Sequence, residues 1–139
     1  MKLYIGASSA ETSRAIKYSR AAAWTAEEGN TGIQVVSRWP YAVEERGFSN
    51  PKGMSTSDTF SICYRDLCDL KAAEWLWILM PPATEVSAGA FWEFGFAYAN
   101  NKYVCISGPN QDASVFTSFA TVRFNTDDEA LKFLIGIAK

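Results

Sequence analysis

The chain contains no histidine. That absence excludes Ser-His-Asp triads, Cys-His pairs and every histidine-based metal or proton-shuttle site. Any catalysis must use carboxylates, tyrosine, hydroxyls or lysine. Cysteine is scarce as well: Cys63, Cys68 and Cys105 are odd in number and form no CxxC. A secreted disulfide scaffold looks different, so a reducing compartment, the cytoplasm, is expected. Ligand spacing for zinc is missing, and free cysteine more often serves the core. No basic block occurs and the net charge is −2, which argues against a nucleic-acid polymer as partner. The longest apolar run, Trp75 to Pro82, is far too short to cross a bilayer, so no membrane association is expected. The start, "MKLYIGASS", lacks a signal-peptide core and reads as a buried strand.

What is present suffices for a core. Of 139 residues, 48% are apolar and 14% aromatic, enough for one domain over residues 1–139 without staples. Strands are expected at "KLYIG", "GIQVVSRW", "EWLWILM", "KYVCISG" and "ATVRFN". Helices are expected at "SAETSRAIKYSRAAAWTAEEG", "STSDTFSICYRDLCDLKAA", "SAGAFWEFGFAYANN" and "TDDEALKFLIGIAK", with a short one at "DASVFTSF". The last main helix opens on a capping box, Thr126 and Glu129. Residues 40–56 carry two Pro and two Gly without periodicity and read as a long loop. Alternating strands and helices predict an α/β fold: a flavodoxin-like or Rossmann-like, doubly wound, five-stranded parallel sheet in the order 2-1-3-4-5. Ligands in such sheets bind beyond the carboxyl ends of the strands. That rule selects Ala7 to Thr12, Ser37 to Thr56 and Met80 to Glu93.

"SAGAFWEFGFAYANNK" places one carboxylate, Glu93, in an otherwise apolar helix. Two readings stand: a solvated carboxylate near a positive helix end, or a charge held at the crevice for chemistry. Asp66 lies on the preceding helix, nearer the opposite rim by simple polarity. Asp69 has a plain reading as part of a solvated face, pairing with Arg65 or Lys71. Ser8 and Ser9 follow the first strand where backbone N–H groups can hold an anion. Ser87 opens the third helix, and capping alone would explain it. Phe91, Trp92, Phe94, Phe96 and Tyr98 cannot share one helix face, so one side needs a partner beyond the sheet; a homodimer or higher oligomer is expected.

Three stretches together resemble the nucleoside 2-deoxyribosyltransferase-like family, including its 2′-deoxynucleoside 5′-monophosphate N-glycosidases. They are "YIGASS", "RDLCDLKAAEWLWIL" and "SAGAFWEFGFAYANNKYV", the last carrying Glu-x-Gly-x-Ala. The resemblance implies Glu93 as nucleophile, Asp66 as the aspartate that holds or protonates the leaving base, and Tyr4 as hydrogen-bond partner of the nucleophile. It puts Ser8, with Ser9, at the phosphate or sugar end, and Gly89 in the same motif as Ser87. Ser87 implies a 5′-monophosphate substrate, because a serine at a helix N-terminus accommodates a phosphate that an aspartate would repel. Thr117 and Ser118 fall where the family takes a polar residue from a neighbouring subunit. The sequence departs from the pattern at Glu74, in place of an aspartate, and in a longer stretch from Met80 to Val86. Arg38 and Trp39 stand where a histidine is usual; Arg38 is a phosphate-pairing candidate, and Trp39 is either a base-stacking residue or, the plainer reading, a packed tryptophan. The implied chemistry needs no metal or cofactor. Alternatives are base transfer, a TIR-like cleavage of NAD or a related nucleotide, and a nucleotide-binding module without turnover.

Overall fold

The computed structural model describes residues 1–27, 29–46, 52–82 and 87–139. Seven strands are β1 (Lys2–Ala7), β2 (Trp24–Thr25), β3 (Gly29–Asn30), β4 (Gln34–Val35), β5 (Trp75–Leu79), β6 (Tyr103–Ser107) and β7 (Val122–Phe124). Five α-helices are α1 (Thr12–Ala23), α2 (Trp39–Arg46), α3 (Thr56–Ala72), α4 (Ala88–Ala99) and α5 (Asp127–Ala138). The main sheet runs β4-β1-β5-β6-β7 and all its pairings are parallel. This is the expected α/β fold. Its labels differ from 2-1-3-4-5 because an unforeseen hairpin, β2–β3, takes two numbers without joining the main sheet.

The sequence explains the layers. β5, "WLWIL", is buried at every position, as a central parallel strand covered on both faces must be. Its side chains alternate: Trp77 meets Tyr18 of α1 and Trp75 meets Phe133 of α5, while Leu76 lies beneath the opposite face near Gly6. α1 and α5 therefore cover one face. α4 covers β1, β5 and β6 on the other, and α3 reaches β1 beside it.

Helix ends follow their caps. Ser55 accepts from the Asp58 N–H at the start of α3, and Thr126 and Glu129 form the expected capping box on α5. Asn101, at φ 56°, ends α4 in the left-handed conformation. Lys102 then donates from Nζ to the carbonyls of Lys71 and Ala73, closing the end of α3. Glu74, long enough to reach β1, accepts the Lys2 N–H at 2.6 Å.

Two expectations are corrected. The first helix stops at Ala23 rather than running to Gly29. Thr31 takes its last carbonyls, donating from Oγ1 to Ala22 and from N–H to Ala23, while Gly29 at φ 67° supports the hairpin. The second expected strand is cut to Gln34–Val35, and α2 begins at that strand's expected last residue, Trp39, and takes residues 40–46 from the expected loop. Pro40 lies in its first turn, where a missing N–H costs nothing. The rest of the expected loop falls partly outside the described residues (47–51), as does much of the stretch from Met80 to Val86. Cys105 is a core thiol as expected, but Cys63 is exposed.

Candidate functional site

β1 alternates so that Tyr4 and Gly6 face α4. Tyr4 is fully buried, and its hydroxyl donates to Glu93 Oε1 at 2.8 Å. Glu93 sits in the second turn of α4, half-buried as a residue but enclosed at its carboxyl end. Its Oε2 is buried and has no hydrogen-bond partner among the described residues. That oxygen lies over Gly6, where a Cβ would come within 2.5 Å of it. Gly6 is thus required by close approach, and any side chain there would displace the carboxylate. Sequence reasoning missed Gly6; a glycine two residues beyond Tyr4, hence on the same strand face, was the available signal.

The electrostatics follow from the enclosure. Burial pushes the Glu93 carboxyl up to about 8; the Tyr4 hydroxyl opposes this, and the Asp66 charge adds to it. Tyr4 is raised well above its ordinary value by burial, by Glu93 and by Asp66, so it stays a neutral donor. Asp66 is also raised, chiefly by burial, against the pull of Arg65. The Asp66 charge acts on both Tyr4 and Glu93, which puts the two carboxyls in one electrostatic neighbourhood despite the opposite-rim polarity expected of Asp66.

Around Asp66 the sequence misled in detail. Arg65 grips Asp66 itself, from Nη2 at 2.7 Å and Nε at 3.0 Å, both on Oδ1. Oδ2 has no hydrogen-bond partner among the described residues. Asp69 is not part of a solvated face: it is 7% exposed and holds Arg38 through Nε, Nη2 and the backbone N–H. The Arg38 side chain is 63% exposed, so the pair is partly screened by water. Its forked edge is spent on Asp69, leaving Nη1 for any anion.

Trp39 takes the packed reading, which corrects its candidacy for base stacking. It is buried, and its indole N–H donates to the Ile5 carbonyl at 2.7 Å, anchoring α2 to β1 instead of offering a face to a base. Ser37 holds the other side of the same peptide region, accepting the Ile5 N–H at 3.1 Å. The two residues fix the stretch of β1 between Tyr4 and Gly6.

Ser8 follows β1 with a hydroxyl that makes no capping bond, and Ser9 is exposed in the 3₁₀ turn Ser9–Glu11 that precedes α1. Ser87 caps α4, accepting the Ala90 N–H at 3.4 Å, and Gly89 is exposed one turn from it. A Cβ on Gly89 would meet Ser87 Oγ only at ordinary contact distance, so Gly89 is not required sterically. Thr117 is buried and donates to the Ser114 carbonyl within its own turn; that internal bond leaves Ser118 as the exposed hydroxyl of the pair.

Beside α4 lies an apolar cavity of about 530 Å³, lined by Phe91, Phe94, Tyr98, Phe116 and Phe119 among others. It is formed by the outer side of α4 and the 3₁₀ turn Val115–Phe119. Trp92, Tyr98, Val115, Phe116 and Phe119 are all more than half exposed there.

No family model and no curated protein matches the chain. Among solved structures it is similar to a conserved protein from Enterococcus faecalis V583, at 15% identity and a TM-score of 0.65, with 100% of this chain and 99% of the other covered. At that identity the likeness shows the fold: an α/β sandwich with a five-stranded parallel sheet.

Proposed function

We propose that the chain hydrolyses the N-glycosidic bond of a nucleoside 5′-monophosphate. The observation that carries the reading is the Tyr4–Glu93 hydrogen bond, with the second Glu93 oxygen buried, unpartnered and seated over Gly6. A buried carboxyl with a free oxygen is costly unless that oxygen has a task. Here the task is attack on the anomeric carbon. As the Glu93–C1′ bond forms, the C1′–N bond breaks and its electrons leave with the base. Asp66, directly or through water, gives the base a proton. Water then cleaves the glycosyl ester, returning the Glu93 carboxylate and releasing the sugar phosphate. Tyr4 orients Glu93 throughout. Ser8 and Ser87, at the starts of the two helical segments after β1 and β5, suit the phosphate end.

The same reading takes a second copy of the chain as partner. The apolar outer side of α4 and the neighbouring 3₁₀ turn would meet their equivalents, bringing Ser118 to the partner's site. An exposed Cys63 thiol suits a reducing compartment such as the cytoplasm.

The test is a panel of ribo- and deoxyribonucleoside monophosphates, scored for free base by chromatography, with wild type and Glu93→Gln. Base release from at least one nucleotide, reduced by about a hundredfold or more in the variant, is expected. Full activity in Glu93→Gln would reject the nucleophile assignment. Transfer to an added second base would shift the reading to a transferase.

A further inference from the structure

A second cavity, also about 530 Å³, shares no lining residue with the carboxyl site. It lies where α1 meets the edge strand β4 and the start of α2. Its polar lining comes from Ser19, Arg20, Asn30, Gln34, Ser37 and Tyr41, with Ile33 and Val35 adding apolar surface.

The donors here lack acceptors. Ser19 is 3% exposed, and its buried Oγ has no hydrogen-bond partner among the described residues. A hydroxyl buried that way is unfavourable. The Arg20 guanidinium and the Tyr41 hydroxyl, both at exposed positions, have no protein partner among the described residues and are open to an incoming acceptor. Asn30 uses its Oδ1 on the Gly32 N–H at 2.9 Å, and its amide nitrogen remains. Strand geometry adds one more donor. Gln34 and Val36 send their N–H groups to Met1 and Leu3 of β1, so the Val35 N–H points to the unpaired outer edge. Among the described residues no carboxylate lines the cavity. One cation, several available donors and an apolar floor form a set that complements acceptor oxygens bearing negative charge.

We infer that this groove binds a small organic anion, with its phosphate or carboxylate oxygens on Arg20, Tyr41 and the Val35 N–H and its carbon portion on Ile33 and Val35. The site is distinct from the glycosidase reading and does not depend on it. Its occupant would lie one hydrogen bond from β1, because Ser37 lines the groove and also holds the Ile5 N–H.

The experiment is a titration followed by amide NMR, using inorganic phosphate, ribose 5-phosphate and succinate as separate probes. At least one probe is expected to shift Ser19, Arg20 and Val35 saturably, and the arms distinguish a phosphate head from a carboxylate. Arg20→Gln, at an exposed position, should weaken binding about tenfold or more. Tyr41→Phe, at an exposed position, should weaken it too while leaving the melting temperature close to that of wild type. Glu93→Gln should bind as wild type does. Absence of saturation for all three probes, shifts confined to Ser8 and Ser87, or unchanged affinity in Arg20→Gln would each overturn the assignment.

Discussion

Glu93 shows what enclosing a single carboxyl costs in stability. Its carboxyl is held near 8 in the folded chain, against an ordinary value of 4.5. Between those values the folded protein keeps a proton that the unfolded chain releases. Stability therefore falls as pH rises through that window, and the full penalty is present above pH 8. Its size is on the order of a few kcal/mol, an upper figure because an ionised carboxylate draws in water. Glu93→Gln keeps the shape and removes the titration. Thermal melts of the two proteins should coincide near pH 4.5 and separate above pH 8, with the variant the more stable. Parallel curves would mean that the carboxyl is not enclosed. On the proposed function the same titration would set the activity profile: attack by Glu93 would need the ionised form, so base release should climb with pH towards 8.

At the scale of elements, local signals decided what was legible. Strands β1, β5 and β6 and helices α3, α4 and α5 announce themselves by apolar runs bounded by Ser55, Ser87 and the Thr126–Glu129 box. α2 was hidden because Pro40 was read as a breaker, when in a first turn it is a start signal. The β2–β3 hairpin was hidden because Gly29 serves equally as a helix stop and as a left-handed turn residue. Tyr4 and Glu93 were legible through the resemblance of their surrounding motifs. The Arg38–Asp69 clasp and the anchoring of Trp39 were not: both join residues some thirty positions apart, and no local period encodes such a contact. Ser87 illustrates an element end with two uses. Aspartate caps a helix as well as serine does, so Ser87→Asp should leave the fold and the melting temperature nearly unchanged. It should nonetheless raise KM for a nucleoside monophosphate relative to the nucleoside by about tenfold or more, because a fixed negative charge would face the phosphate. An unchanged preference would remove Ser87 from the phosphate end.

For the whole molecule, the sheet leaves one problem unsolved. Phe94, Ala90 and Ala97 bury one side of α4 against β1, β5 and β6. The other side presents Trp92 and Tyr98, and the adjacent turn adds Val115, 81% exposed, with Phe116 and Phe119. Scattered apolar residues on a surface are ordinary, but Tyr98, Phe116 and Phe119 line one cavity with Phe91 and Phe94. A twofold partner using the same patch would cover both copies at once. It would also stiffen the helix that carries Glu93, so assembly and activity should be linked. Sedimentation equilibrium of wild type should give a dimer or higher species, and Phe116→Glu, at an exposed position, should give a folded monomer. If the reading of Ser118 holds, the monomer should also lose base release although Tyr4, Asp66 and Glu93 are intact within it. A wild-type chain that stays monomeric up to millimolar concentration would remove the dimer; a monomeric variant with full turnover would separate assembly from catalysis and place the whole site in a single copy.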